Sequence, residues 1–244
     1  MKKILMFLFG VSLGVGSPGC RMNLRAAEAR PLRSVSERFL GRPYVLGPMG
    51  EGKGYDPKPI YRDDAFDCVT FVEIVLAEWL GLDLQCLRYK DCNIDFASRN
   101  HFMYADWIPN NSHILEPVDF GLETRVRRPV IDKRRWFKEL HGQDIEAEPV
   151  TIELRYVSRR LFMESKPEVD SSMIVFFLSS RADLDIEHLG LLFPHGGRLM
   201  LQHASREKGR VVEEDFHDYL KDDGRVFRGM SFYRIVPPAV GAAP

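Results

Sequence analysis

Asp67-Cys68-Val69-Thr70-Phe71-Val72-Glu73 opens a run that continues through Ile74-Val75-Leu76-Ala77-Glu78-Trp79-Leu80 and stops at Gly81. The apolar residues of this run cover most of a helical wheel, which predicts a helix buried nearly all round. Asp67 suits the N-cap and Gly81 the stop, so Cys68 falls on the first turn. A thiol there faces unpaired backbone N–H groups and the positive end of the helix dipole. Both favour the thiolate, which is the nucleophilic form. Asp63, Asp64 and Asp67 oppose this, so the chemistry calls for a basic or cationic partner elsewhere in the chain.

Two histidines are placed to supply it. His188-Leu189-Gly190-Leu191-Leu192-Phe193 and Arg198-Leu199-Met200-Leu201-Gln202-His203 flank Pro194-His195-Gly196-Gly197, a pattern for a β-hairpin with a four-residue loop. With Phe193 opposite Arg198, His188 lies directly opposite His203, with Cβ atoms about 4.5–5.5 Å apart. Gly190, Leu192, Leu199 and Leu201 share that face, which we expect to receive the Cys68 helix. A one-residue bulge would send one histidine to the other face. Any single histidine is more often a satisfied core residue. A cross-strand pair aimed at a helix-terminal cysteine forms a nucleophile, a base and an orienter: Cys68, His188 and His203. The same side chains with Asp67 could instead hold zinc, although no short paired-ligand spacing such as His-Glu-x-x-His is present.

Other elements must position these groups. Residues 31–40 form an amphipathic first helix, and the Gly/Pro-rich loop from Gly41 to Pro59 carries Tyr44 towards the thiol. Phe96 to Ile108 mixes aromatics with Arg99, His101, Asp106 and Trp107. It could line a ligand groove or form a partly buried helix with a polar edge. The basic run from Arg125 to Arg135 reads as a solvated face. Beyond Pro149 the period changes to two. Thr151 to Val157 is a half-exposed strand, Arg159 to Glu164 a short helix, and Met173 to Leu178 a central strand. Val211 to Leu220 reads as a helix and Met230 to Val236 as the last strand.

Of the 244 residues 45% are hydrophobic and 28% charged, with a formal net charge of -1, which argues against a nucleic-acid binder. Met1-Lys2-Lys3 and the apolar Ile4–Leu13 stretch have the form of a secretory leader over residues 1–20. Gly19-Cys20 offers a lipidation site, the one route to membrane attachment; cleavage after Ala27 or Ala29 would instead remove it. Export to the periplasm or cell envelope follows from either. In that compartment Cys86 and Cys92 could form a local disulfide and leave Cys68 free, or all three could be buried thiols. The mature domain spans 31–237, followed by a disordered tail at 238–244. No later stretch is apolar for the roughly 18 residues a membrane span needs.

Several stretches resemble the papain-like cell-wall amidases of the NlpC class, and more closely their N-acetylmuramoyl-L-alanine amidase-like branch. They are Gly41-Arg42-Pro43-Tyr44-Val45, Asp67 to Glu73, Ser98-Arg99-Asn100-His101-Phe102 with Asp106-Trp107-Ile108, His188-Leu189-Gly190, Gln202-His203-Ala204-Ser205, and Asp218-Tyr219-Leu220 followed by Tyr233-Arg234. The resemblance implies an α+β, papain-like fold with the nucleophile helix packed on an antiparallel sheet or half-barrel. It implies Cys68 as nucleophile, His188 as base and His203 as orienter, with Tyr44, Asp67, Arg99, His101 and Trp107 as substrate contacts. The wider class has Asp-Cys-Ser-Gly-Phe where this chain has Asp-Cys-Val-Thr-Phe. The implied reaction is hydrolysis of an amide in peptidoglycan or muropeptides, with no cofactor. The favoured bond is N-acetylmuramoyl–L-alanine, since Arg99, His101, Tyr104, Trp107, Asn110 and Asn111 could grip a sugar. The alternatives are a γ-D-glutamyl–diaminopimelate endopeptidase, a zinc amidase, and a non-catalytic wall-binding module.

Overall fold

Hydrophobic patterning builds the protein around one helix and one sheet. The computed structural model describes residues 30–48, 61–222 and 224–237. The leader, Cys20 and the tail lie outside the described residues. The first helix, α1 (Leu32–Ser36), continues as a 3-10 turn (Glu37–Phe39), with Leu32, Val35 and Phe39 buried. It packs on α2 (Cys68–Leu80), in which Phe71, Val72, Ile74, Val75, Leu76 and Leu80 are all buried. Gly81 ends α2 in the left-handed region at φ 65°.

An insertion follows. It holds α3 (Leu84–Arg88), a π-helical turn (Met103–Trp107) that runs into α4 (Ile108–Asn110), and β1 (Leu115–Pro117). Next come β2 (Arg125–Arg127), β3 (Val130–Ile131), α5 (Lys133–His141), β4 (Val150–Thr151) and β5 (Leu154–Tyr156). The single strand expected over 151–157 is therefore two: β4 pairs with β3 and β5 with β2, in two small sheets. The chain continues through α6 (Arg159–Ser165), β6 (Met173–Leu178), β7 (Ile186–His195), β8 (Arg198–Ser205), β9 (Arg210–Asp215), α7 (Phe216–Lys221) and β10 (Met230–Ile235). The helix expected over 211–220 is a strand for its first half. Val211 and the residues after it alternate along β9, and Asp215 then caps α7 through the Asp218 N–H.

The main sheet runs β1-β10-β6-β7-β8-β9 with every neighbour antiparallel. All six residues of β6 are buried, as a strand covered on both faces should be. Leu189, Leu191, Phe193 and Phe176 join the cluster that contains α2. Leu192, Leu199, Leu201 and Phe177 join a second cluster with Phe216, Tyr219 and Leu220 of α7. The face shared with the histidines thus receives α7, and α2 packs on the opposite face. Odd and even positions of β7 serve different layers because both are apolar.

The hairpin register also differs from expectation. His195 pairs with Arg198 and Leu191 with Gln202, which leaves a two-residue Gly196-Gly197 loop. Both glycines have positive φ, 58° and 74°, as a type I′ turn requires. Continued one step, this register sets Gly190 opposite His203, and His188 sits on the diagonal. A Cβ on Gly190 would lie 2.9 Å from His203 Cβ, so glycine is what allows His203 to close over the strand.

One charged pair lies inside the apolar layer. Glu73 of α2 accepts from Arg88 Nε of α3 at 2.7 Å, with the two side chains only 2% and 1% exposed. Taking each ion from water costs several kcal/mol, and the surrounding apolar side chains of α2 contribute roughly 1.5–3 kcal/mol apiece. The pair is therefore carried by its neighbours and fixes where the insertion sits on α2. Arg88→Met should destabilise the protein by about 3–5 kcal/mol, because it strands the Glu73 carboxylate. Glu73→Leu combined with Arg88→Met should recover most of that loss. Urea unfolding of both variants checks this; equal destabilisation by the single and double changes would show that the charge is not the cause.

Candidate active site

Cys68 takes its position from the cap of α2. Asp67 accepts from the Thr70 N–H at 2.8 Å, and Thr70 Oγ1 accepts from the Asp67 N–H at 3.0 Å, closing a capping box. The half-buried thiol has the backbone N–H groups of Leu189, Cys68 and Val69 near enough to favour its charged form. Burial nevertheless pushes the thiol pKa up to about 12, the Asp67 charge adds to the rise, and the three N–H donors offset it only in part. The helix end alone therefore does not yield a thiolate at neutral pH. Sulfur keeps its proton until a base removes it.

The expected base, His188, is the neighbour of Leu189, whose backbone acts on the thiol. His188 Nε2 lies 2.7 Å from His203 Nδ1, and His203 Nε2 lies 2.8 Å from Glu214 Oε2. An ionised carboxylate only accepts, and its hydrogen bond to His203 holds the Glu214 pKa below the usual carboxylate range. His203 therefore carries its proton on Nε2 and accepts through Nδ1. His188 in turn donates from Nε2, which leaves Nδ1 with a free lone pair. Burial lowers the pKa of His188 well below its ordinary value, with the His203 charge adding to the shift, and burial lowers that of His203 too. Both shifts favour the neutral rings, which leaves Nδ1 of His188 as the open acceptor of the chain.

Aromatic walls hold the pair in place. His188 stacks on Phe177 with centroids 5.7 Å apart, and the Tyr219 ring meets the edge of His203 at 5.3 Å. Arg225 lies over Tyr219 at 4.0 Å from the ring centroid, and its charge depresses both histidines further. Arg225 is itself paired with Glu207 and Asp222.

Tyr44 is brought to the thiol, as the loop's path implies. Its backbone bridges Phe66 and donates to Gly209 O at 2.9 Å, and the nearby Cys68 adds to the burial that raises its pKa to about 12. The remaining candidates are placed otherwise. The Asp67 carboxylate is consumed by the cap, taking both the N–H and the hydroxyl of Thr70. Trp107 is wholly buried against Phe176, and Arg99 is 5% exposed, its charge acting on Asp67 from beneath the helix end. His101 binds Phe96 O at 2.8 Å and packs among Phe96, Trp136 and Phe137. Asn111 is buried and donates to Leu87 O and Trp107 O, and Asn110 donates to Cys86 O. Tyr104 donates its hydroxyl to Ser231 at 2.6 Å. The segment expected as a sugar groove is thus a buttress whose polar groups satisfy its own backbone.

Glu214, Tyr219 and Arg225 were absent from the expected site. Glu214 was hidden by the helical reading of 211–220; as a strand beside β8, Leu201 faces Glu214 and His203 faces Val212, which puts Glu214 diagonal to His203. Cys86 and Cys92 are disulfide-bonded, and Cys68 is the free cysteine among the described residues. The zinc reading finds no support in the donor set. Both His203 nitrogens and the Asp67 carboxylate are already engaged, and among the described residues no group of three or more His, Cys, Asp or Glu side chains is placed to hold a metal ion.

Comparison with known proteins places the fold. A protein of Legionella pneumophila has the same fold at a TM-score of 0.72 and 26% identity, over 84% of this chain and 88% of that one. A solved N-acetylmuramoyl-L-alanine amidase of Bacteroides uniformis is similar at a TM-score of 0.69 and 25% identity, over 84% of this chain and 98% of its own. No curated protein is significantly similar to the chain. The family model described as AmiA-like, N-acetylmuramoyl-L-alanine amidase-like, matches residues 34–226, and the chain belongs to that family.

Proposed function

We propose that this protein is a cysteine amidase of papain-like, NlpC-type architecture that hydrolyses an amide bond of peptidoglycan or its fragments. The observation that carries the reading is the Glu214–His203–His188 hydrogen-bond chain, which ends one residue from Leu189, whose backbone acts on the Cys68 thiol. Cys68 attacks the carbonyl carbon as its proton passes to Nδ1 of His188. The positive charge spreads over two rings and is faced by the Glu214 carboxylate. Backbone N–H groups at the start of α2 are available to the tetrahedral oxyanion, a contribution of about 2.7–4 kcal/mol per donor in other enzymes. Collapse breaks the C–N bond, His188 protonates the leaving amine, and a thioester remains. Water, losing its proton to His188, releases the acid and restores the thiol.

The N-acetylmuramoyl–L-alanine bond is favoured by the family and by the Bacteroides uniformis neighbour. Burial of Trp107, Arg99 and Asn111 removes the sugar-groove support for it, so the γ-D-glutamyl–diaminopimelate bond is the second reading. The Cys86–Cys92 disulfide supports an exported protein acting in the cell envelope. The intact Cys–His–His–Glu chain speaks against a purely wall-binding module.

Cys68→Ala should reduce turnover to background while the protein remains folded, and iodoacetamide should inactivate the wild type where a chelator does not. Full activity of the variant would remove the thiol from the mechanism.

Glu214→Gln should lower kcat/KM by about 10²-fold, the low end of acid–base contributions. Glu214 raises the His203 pKa. Its removal makes the rings less basic and should move the acid limb of the pH–rate profile to lower pH. An unchanged rate, or a limb that moves upward, would dismiss Glu214 from the chain.

Mass spectrometry of products from a glycan-linked muropeptide should show a peptide with free N-terminal L-alanine. The bare stem peptide should resist cleavage. Internal cleavage of the bare peptide would transfer the assignment to the endopeptidase reading.

A further inference from the structure

The basic run over 125–135 is largely a solvated face, as expected, and three of its arginines also line a cavity. Arg127, Arg128 and Arg135 meet Arg228, Ser180 and Asp183 around a cavity of about 420 Å³ between the β2–β3 junction and the loop that joins β6 to β7. Arg127 anchors it by donating to the carbonyls of Ser179 at 2.9 Å, Leu184 at 3.1 Å and Arg181. Those acceptors are neutral and leave its charge in place. Arg128 shares Glu153 with Arg155. Asp183, the one acidic residue lining the cavity, is held by a two-pronged bond from Arg181 at 3.0 and 2.8 Å. Arg135 and Arg228 have no side-chain hydrogen-bond or ion-pair partner among the described residues. Burial and the neighbouring Arg228 charge depress the Arg127 pKa, against the opposing charges of Asp185 and Asp183.

Guanidinium forks grouped in this way match the planar, two-oxygen geometry of an oxyanion. Their position limits which one. Phe177 pairs with His188, and Ser180 stands three residues beyond Phe177, a distance of about 10 Å at strand rise. Arg228 is three residues from Arg225, whose charge acts on both histidines. The cavity therefore opens at the sheet end that holds the catalytic chain. An extended four-residue peptide spans about 13–14 Å, enough to connect them.

We propose that this arginine-lined cavity binds a free carboxylate of the substrate's peptide stem, away from the bond that is cut. The assignment rests on the amidase reading above, and it makes the substrate an anionic muropeptide. The test is calorimetric titration of the full-length Cys68→Ala protein with a stem tetrapeptide in two forms, carboxylates free and carboxylates amidated. The free form should bind about tenfold more tightly. Arg135→Gln with Arg228→Gln in the same background should abolish that preference, and Arg135→Gln alone should weaken it. Equal affinity for the two peptides, or a preference that survives the double substitution, overturns the proposal. Inorganic phosphate is titrated as a third probe. Phosphate that binds through these arginines while the peptides are not distinguished would assign the cavity to phosphate and overturn the carboxylate. Absence of wild-type turnover on muropeptides would count against the amidase reading alone, because the binding preference does not depend on catalysis.

Discussion

An ionised carboxylate has no proton to give, and the site follows from the one bond that Glu214 accepts from His203. That bond settles the tautomer of His203, which settles that of His188, which leaves a single lone pair for a thiol proton. Distance alone would permit either direction of donation along the two rings. The carboxylate removes the ambiguity from two bonds away, and it also offers the counter-charge when the rings become cationic. On the mechanism proposed above, a neutral thiol and neutral imidazoles make a reactive arrangement, because the proton has a defined destination.

How much of this was legible follows from which physical signals are local. The cap, the stop and the all-round burial of α2 depend on neighbouring residues, and Asp67, Gly81 and the apolar run announce them. Pairing of His188 with His203 was legible for a less direct reason. The two-glycine turn shifts the partner of each residue by two positions, and side chains alternate with a period of two, so the histidines stay on one face. A one-residue difference would have separated them. The side of the sheet that takes α2 was not legible, since β7 is apolar on both faces and periodicity carries no sign. Glu214 was lost because a short strand running directly into a short helix has no clear period of its own.

The insertion shows the opposite limit. Its Arg, His, Asn, Tyr and Trp have the composition of a carbohydrate groove, and composition does not record direction. In the folded chain those groups point at backbone carbonyls and at one another, and the Glu73–Arg88 pair locks the assembly against α2. Polar side chains are needed there because short irregular helices leave many backbone groups without partners. On the proposals made above, substrate recognition falls to surfaces near Tyr44 and to the arginine cavity.

Asp67 joins two properties that enzymes usually adjust separately. Its carboxylate begins α2, a cap of the kind that contributes about 0.5–2 kcal/mol. Its negative charge also raises the pKa of the adjacent thiol. Asparagine caps a helix about as well as aspartate, and its Oδ1 can accept the same two bonds from Thr70. The cap therefore needs the oxygen and not the charge. The aim of the sulfur and its acidity are separable at this one position, the first set by an acceptor atom and the second by whether that acceptor is ionised.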